Sequence, residues 1–346
     1  MPAPTHPSPV RPALPALLAL AFLAACGGSP AQAPRTTGTG QVEAAGPTHG
    51  TGVPFSLHGI WNAGVGRARV DPRSRTLIAG LAAEATREHS QHEVPTLTTS
   101  TYGVAIAEVP AGAPTVRVTL FDHAPDDALE RAWTRVPLPP GARPASGSDG
   151  QLVVWQPATD RLWEFWRLRR DAARGWVASW GGAMRHVSQN PGYYTDAAWP
   201  GAKTWWGGSA TSLALLGGTI RASELRDGAI DHAVAIAIPD PRAGEWAAPA
   251  QRGDGTNSAA EALPEGAHLR LDPRFDLRTA NLPPLTRLIA QAAQRYGLVV
   301  RDRAGALTFY GDTQIPAQPV EDFPWGHLQV LRLKLRTRAD LLGGGR

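Results

Sequence analysis

The chain has 346 residues, 42% of them apolar, with 37 glycines, 32 prolines and a formal net charge of +4. That apolar share excludes wholesale disorder, and the excess of Gly and Pro favours a turn-rich β protein over a helical one. The basic residues are dispersed, with Arg167, Arg169 and Arg170 followed at once by Asp171, so no nucleic-acid partner is expected. Mild positive charge is better suited to an anionic surface or an acidic polysaccharide.

The N-terminus carries Arg11 and then an apolar run from Ala13 to Ala25, too short to span a bilayer comfortably. It ends in Leu23-Ala24-Ala25-Cys26, which resembles the lipobox of bacterial lipoproteins. The resemblance implies a signal peptide over 1–25, acylation of Cys26, and a membrane partner through a lipid anchor on the extracytoplasmic side. An ordinary signal peptide with an incidental cysteine is the alternative. Cys26 is the only cysteine, so neither a disulfide nor a Cys-based zinc site is available. Residues 26–53, rich in Pro, Ala, Thr and Gly, read as the lipidated cysteine and a flexible tether. A single β-rich globular domain is expected over 54–346.

Asp71 to Ala85 is predicted as a helix, with Pro72 at its first position and Leu77, Leu81 and Ala85 on one stripe. Strand-like alternation follows over Thr98 to Glu108 and Val116 to Phe121, then a short helix over Asp126 to Trp133. Gln151–Trp155, Arg161–Leu168 and Trp176–Trp180 read as a meander of hairpins. In Ile230 to Ile238, one face is His232, Val234, Ile236 and Ile238, and the other is Asp231, Ala233, Ala235 and Ala237. A face that small lets something bulky approach, either tryptophans or a ligand. Leu285, Leu288, Ile289, Ala292, Ala293 and Tyr296 mark a helix that Gly297 ends. The expected fold is mainly β, a sandwich or jelly-roll-like core with a few packed helices.

Nine of the twelve tryptophans lie between Trp155 and Trp246. An indole offers a flat apolar face and one N–H donor, which suits a sugar ring, although it also suits a core. Trp199, Trp205 and Trp206, set among prolines and glycines, are the expected exposed rings, joined by Tyr193 and Tyr194 on a turn. Glycosidic cleavage needs two carboxylates, and Asp149, Glu164, Asp231 and Asp254 are candidates. Glu164 sits mid-strand among aromatics, where a raised pKa would suit an acid. Its bland alternative is an exposed residue paired with Arg161 or Arg167. Asp231-His232 could supply a base, or a histidine bonded to backbone. His186, Tyr193 and Arg185 form a weaker set for lyase chemistry. No phosphate loop, dinucleotide fingerprint, zinc helix or nucleophile elbow is present, and no cofactor or metal is expected. The nearest acidic turn, Gly253-Asp254-Gly255-Thr256-Asn257, could ligate Ca²⁺ through Asp254 and Asn257.

Ser148-Asp149-Gly150, Trp155, Trp163-Glu164-Phe165-Trp166, Leu215-Leu216-Gly217-Gly218, Asp231-His232-Ala233 with Pro239, and Tyr296-Gly297 with Asp302 together resemble a largely uncharacterised family of secreted bacterial proteins. Trp61-Asn62 and Asp71-Pro72 through Ser74 fit the same likeness. It implies export and one β-rich domain, and transfers no catalytic residue. The expected function is a lipid-anchored extracytoplasmic protein that binds or cleaves polysaccharide. The alternative is a noncatalytic cell-surface or envelope protein whose tryptophans are mostly core.

Overall fold

The computed structural model describes residues 53–91 and 94–342; Cys26, the apolar run before it and most of the segment expected as a tether lie outside them. The turn-rich sequence folds into four β-sheets with five short helices among the described residues. None of those helices is long and apolar enough to cross a membrane.

Seven strands make the largest sheet, in the order Gln318–Pro319, Thr96–Thr98, Thr308–Tyr310, Val234–Ile238, Leu298–Arg303, His268–Leu271 and Leu328–Val330. Two of its pairs are parallel: Thr96–Thr98 with Thr308–Tyr310, and Val234–Ile238 with Leu298–Arg303. Side chains alternate across a strand, so Val234–Ile238 serves two cores at once. Val234, Ile236 and Ile238 join an aliphatic core with Leu77, Leu81 and Ile289 of the two longest helices, Ser74–Ser90 and Pro284–Arg295. Ala233, Ala235 and Ala237 face a second, Trp-rich core that includes Trp61, Trp133 and Trp163. Indoles, not a ligand, account for that small-residue face.

The second sheet holds Ala105–Glu108, Leu152–Gln156, Arg161–Trp166 and Trp180–Arg185 in that order. A third combines Val118–Leu120, Gly175–Ala178 and Arg169–Asp171, and a fourth pairs Glu245–Ala247 with Leu335–Thr337. The expected meander is therefore divided. Gly175–Ala178 turns back on Arg169–Asp171, and only from Trp180 does the chain rejoin the hairpin sheet, against Arg161–Trp166.

The predicted strand Thr98–Glu108 is also split, because Tyr102 takes a left-handed φ of 59° and the two halves enter different sheets. The first helix starts three residues after Asp71 rather than at it. Asp71 is not a cap: its Oδ1 accepts Arg73 N–H at 2.9 Å and its Oδ2 accepts Leu333 N–H at 3.2 Å. That helix also runs five residues past Ala85, where buried Glu88 accepts Leu307 N–H at 2.8 Å.

Candidate functional site

A cavity of about 390 Å³ opens where the end of the hairpin sheet meets the large sheet. Its aromatic wall comes from the hairpin sheet. Gly150 adopts a φ of +45°, a conformation that disfavours residues bearing a Cβ. This turn lets Asp149 O accept Arg167 N–H at 2.6 Å and Gly150 O accept Leu168 N–H at 3.1 Å. Asp149 thereby lies beside the end of Arg161–Trp166, and Trp166 Nε1 donates to its Oδ1 at 3.2 Å. Trp180 starts the adjoining strand and donates from Nε1 to Trp205 O at 3.3 Å. The His123 ring stacks on it with 4.2 Å between centroids.

The floor is the backbone of residues 207–210. Glu164 holds it from beneath: fully buried, it accepts Gly208 N–H at Oε1 and Leu215 N–H at Oε2, each at 2.8 Å. Burial pushes its carboxyl up to about 7, against the opposing pull of those two N–H groups. Arg252 secures the same loop, donating to Ser212 Oγ at 2.9 Å, Gly207 O at 3.0 Å and Ser209 O at 2.8 Å.

The remaining wall is acidic. The register of Leu298–Arg303 slips between Val300 and Asp302, the kind of irregularity that re-aims side chains. Arg301 turns into the core, donating to Leu215 O at 2.7 Å, Gly217 O at 2.9 Å and Thr219 Oγ1 at 3.1 Å, with its guanidinium 4.0 Å from the centre of the Tyr310 ring. Asp302 faces the cavity, accepting Ala210 N–H at 3.2 Å and Arg303 N–H at 3.0 Å. Burial raises its carboxyl to about 6 despite those two donors. Asp254 lines the cavity as well, whereas Glu265 is fully buried and reaches the group from outside it. Oε2 of Glu265 accepts Asp254 N–H at 2.7 Å and Gly255 N–H at 3.1 Å.

Of the carboxylates expected from the sequence, Asp149 and Asp254 line the cavity. Glu164 touches it only through the Gly208 backbone; it is neither exposed nor paired with Arg161 or Arg167, because both faces of its sheet are covered. Asp231 and His232 are elsewhere. Asp231 is exposed and bonded to Arg295 at 3.1 Å, while His232 is buried against Glu224 at 3.0 Å and donates to Ala233 O. Neither can act as a base in this cavity.

The expected ring platform is corrected too. Trp206 is fully buried with its Nε1 on Asp126 Oδ2 at 3.0 Å, and Tyr194 is fully buried. Trp199 is half-buried beneath the Arg185 guanidinium, 4.3 Å away, and half-buried Tyr193 bridges to Leu213. Trp205 is exposed, at 49%, but lines no part of the cavity. Neither His186, Tyr193 nor Arg185 lines it. Nine of the twelve indoles are buried, which makes most of the tryptophan density structural. Asn257 spends its side-chain oxygen on Ala259 N–H at 2.9 Å, so Asp254 is grouped with Glu265 and Asp302 instead.

The residues missed by sequence reasoning are His123, Trp180, Arg252, Glu265 and Arg303, along with Trp166 and Asp302, which entered only through the family likeness. Cys26 falls outside the described residues. No family model matches the chain, and neither a curated protein nor a solved structure is significantly similar to it.

Proposed function

We propose that the protein binds polysaccharide in this cavity, with the Trp166 indole as the apolar platform and Asp149 as the carboxylate placed to act on the bound chain. The observation that carries the reading is the Trp166–Asp149 pair at 3.2 Å within a cavity that two further carboxylates and Arg252 line. A sugar ring presents an apolar C–H face and an equatorial fringe of hydroxyls. An indole receives the first, and carboxylate groups receive the second. A volume of about 390 Å³ lies at the low end of ligand-sized cavities, enough for about one or two sugar rings. The lipobox-like segment ending at Cys26 supports a location at a membrane surface on the extracytoplasmic side.

A polysaccharide array read for both retention and new reducing ends tests this. Wild-type protein is expected to be retained on at least one polymer. Where reducing ends appear, Asp149→Asn is expected to stop their release while leaving retention in place. Retention on no polymer would instead favour an envelope structural protein, the reading supported by the nine buried indoles.

A further inference from the structure

Asp254, Glu265 and Asp302 come from separate stretches of the chain, and one carboxylate oxygen from each lies within 4.8 Å of the other two. Glu265 is buried and Asp302 half-buried, so repulsion between them is weakly screened, while Asp254 stands exposed to water. Among the described residues, no lysine or arginine forms an ion pair with any of the three. Arg252 directs its donors to Ser212 Oγ and to the Gly207 and Ser209 carbonyls, and Arg303 reaches Thr256 Oγ1 at 3.3 Å.

A second observation points the same way. Glu265 is fully buried, and while Oε2 takes two backbone N–H groups, Oε1 has no hydrogen-bond partner. Bare carboxylate oxygens are rare in protein interiors, since each carries an uncompensated desolvation cost. The loop is also shaped for this contact. A Cβ on Gly253 would lie 2.6 Å from Glu265 Oε2, so glycine allows an approach that a larger residue would keep only if the loop or the carboxylate gave way.

We propose that Asp254, Glu265 and Asp302 bind one calcium ion at the wall of the cavity. Oxygen-only, carboxylate-rich ligands select hard cations over metals that prefer nitrogen or sulfur. With Ca–O distances of about 2.3–2.6 Å, two oxygens on one ion can stand up to about 5 Å apart, whereas the shorter Mg–O distance draws them to within about 4.2 Å. Oxygens within 4.8 Å of one another fall inside the calcium range, and calcium also tolerates an irregular ligand set, whereas magnesium demands near-ideal octahedral geometry. Asp254 and Asp302 line the cavity, so an ion held by the three carboxylates would border it, with water or oxygens of a bound molecule to complete its coordination. The site stands apart from the polysaccharide reading, because the cation can be titrated with no glycan present.

The full-length chain, stripped with a chelator and shown to be folded, is titrated with CaCl₂ in a calorimeter. In parallel, Tb³⁺ is added under excitation of the indoles, two of which, Trp166 and Trp180, line the same cavity. The expected result is one saturable Ca²⁺ site of about micromolar to millimolar affinity, with sensitised Tb³⁺ emission that Ca²⁺ displaces. Asp254→Asn and Asp302→Asn should each weaken Ca²⁺ binding by roughly tenfold or more. Glu265→Gln should do the same, and should that variant fail to fold, the two aspartate variants decide. Folded wild-type protein without saturable Ca²⁺ binding, or aspartate variants that bind as tightly as wild type, would overturn the assignment.

Discussion

Replacing Glu164 by Gln keeps the size of the side chain and one acceptor oxygen while removing the charge under the cavity floor. In the wild type, burial raises the carboxyl from 4.5 to about 7. The folded protein then holds this proton more tightly than the unfolded chain does. The resulting stabilisation is fully present below about pH 4.5 and is lost as the pH rises through 7. At about 1.4 kcal/mol per pH unit, the gap corresponds to roughly 3 kcal/mol. Gln does not titrate, and its amide nitrogen cannot accept from both Gly208 and Leu215, which costs about 1–3 kcal/mol at every pH. Urea unfolding followed by tryptophan fluorescence, run from pH 5 to pH 9 on both proteins, compares the two effects. The variant should be the less stable at pH 5, and its deficit should shrink by roughly 3 kcal/mol by pH 9. Other buried acids are common to both proteins and cancel in the difference. A deficit that stays constant across this range would refute the buried-carboxylate account.

Arg301→Met preserves much of the volume but strips donors from the Leu215 and Gly217 carbonyls and from Thr219 Oγ1, so urea unfolding should show a loss of at least about 2 kcal/mol. At Glu224, burial alone would raise the carboxyl, yet His232 and Arg221 hold it at about 2. That stabilisation is present above the ordinary carboxylate range and is lost as the pH falls through 2, so Glu224→Gln should flatten the acid limb of the stability curve below about pH 4.5. Asp231→Asn, at a surface position outside the cavity, should leave polysaccharide retention unchanged in the array assay.

The mainly-β character was legible in the Gly and Pro content and in short alternating runs, and the helix Pro284–Arg295 in its apolar stripe. Strand partners were not. Nothing local in Trp176–Trp180 says that the chain changes sheets at Ser179, because the choice depends on Val118–Leu120 arriving in parallel from far away. The candidate site divides along the same line. Asp149 was one of four candidate carboxylates and part of the Ser148-Asp149-Gly150 string, and Asp254 stood in a glycine-flanked loop. Trp163 and Trp166 share one strand, yet Trp163 is buried in the core and Trp166 lines the cavity. His123, Arg252 and Asp302 converge on the cavity from distant points in the chain, with no sequence spacing to reveal it. Glu164 was noticed for its aromatic neighbours, but its full burial follows from cover on both faces of the hairpin sheet, which a single strand cannot disclose.

The most direct test of the cavity account compares two tryptophans. Trp166 lines the cavity and Trp205 is the most exposed indole away from it. With any polymer that retains the wild type, calorimetric titration of Trp166→Ala should show binding weakened by about tenfold or more, as expected for losing an aromatic anchor, while Trp205→Ala should bind as the wild type does. Unchanged binding by Trp166→Ala together with a loss in Trp205→Ala would place the polysaccharide on another surface and contradict the account.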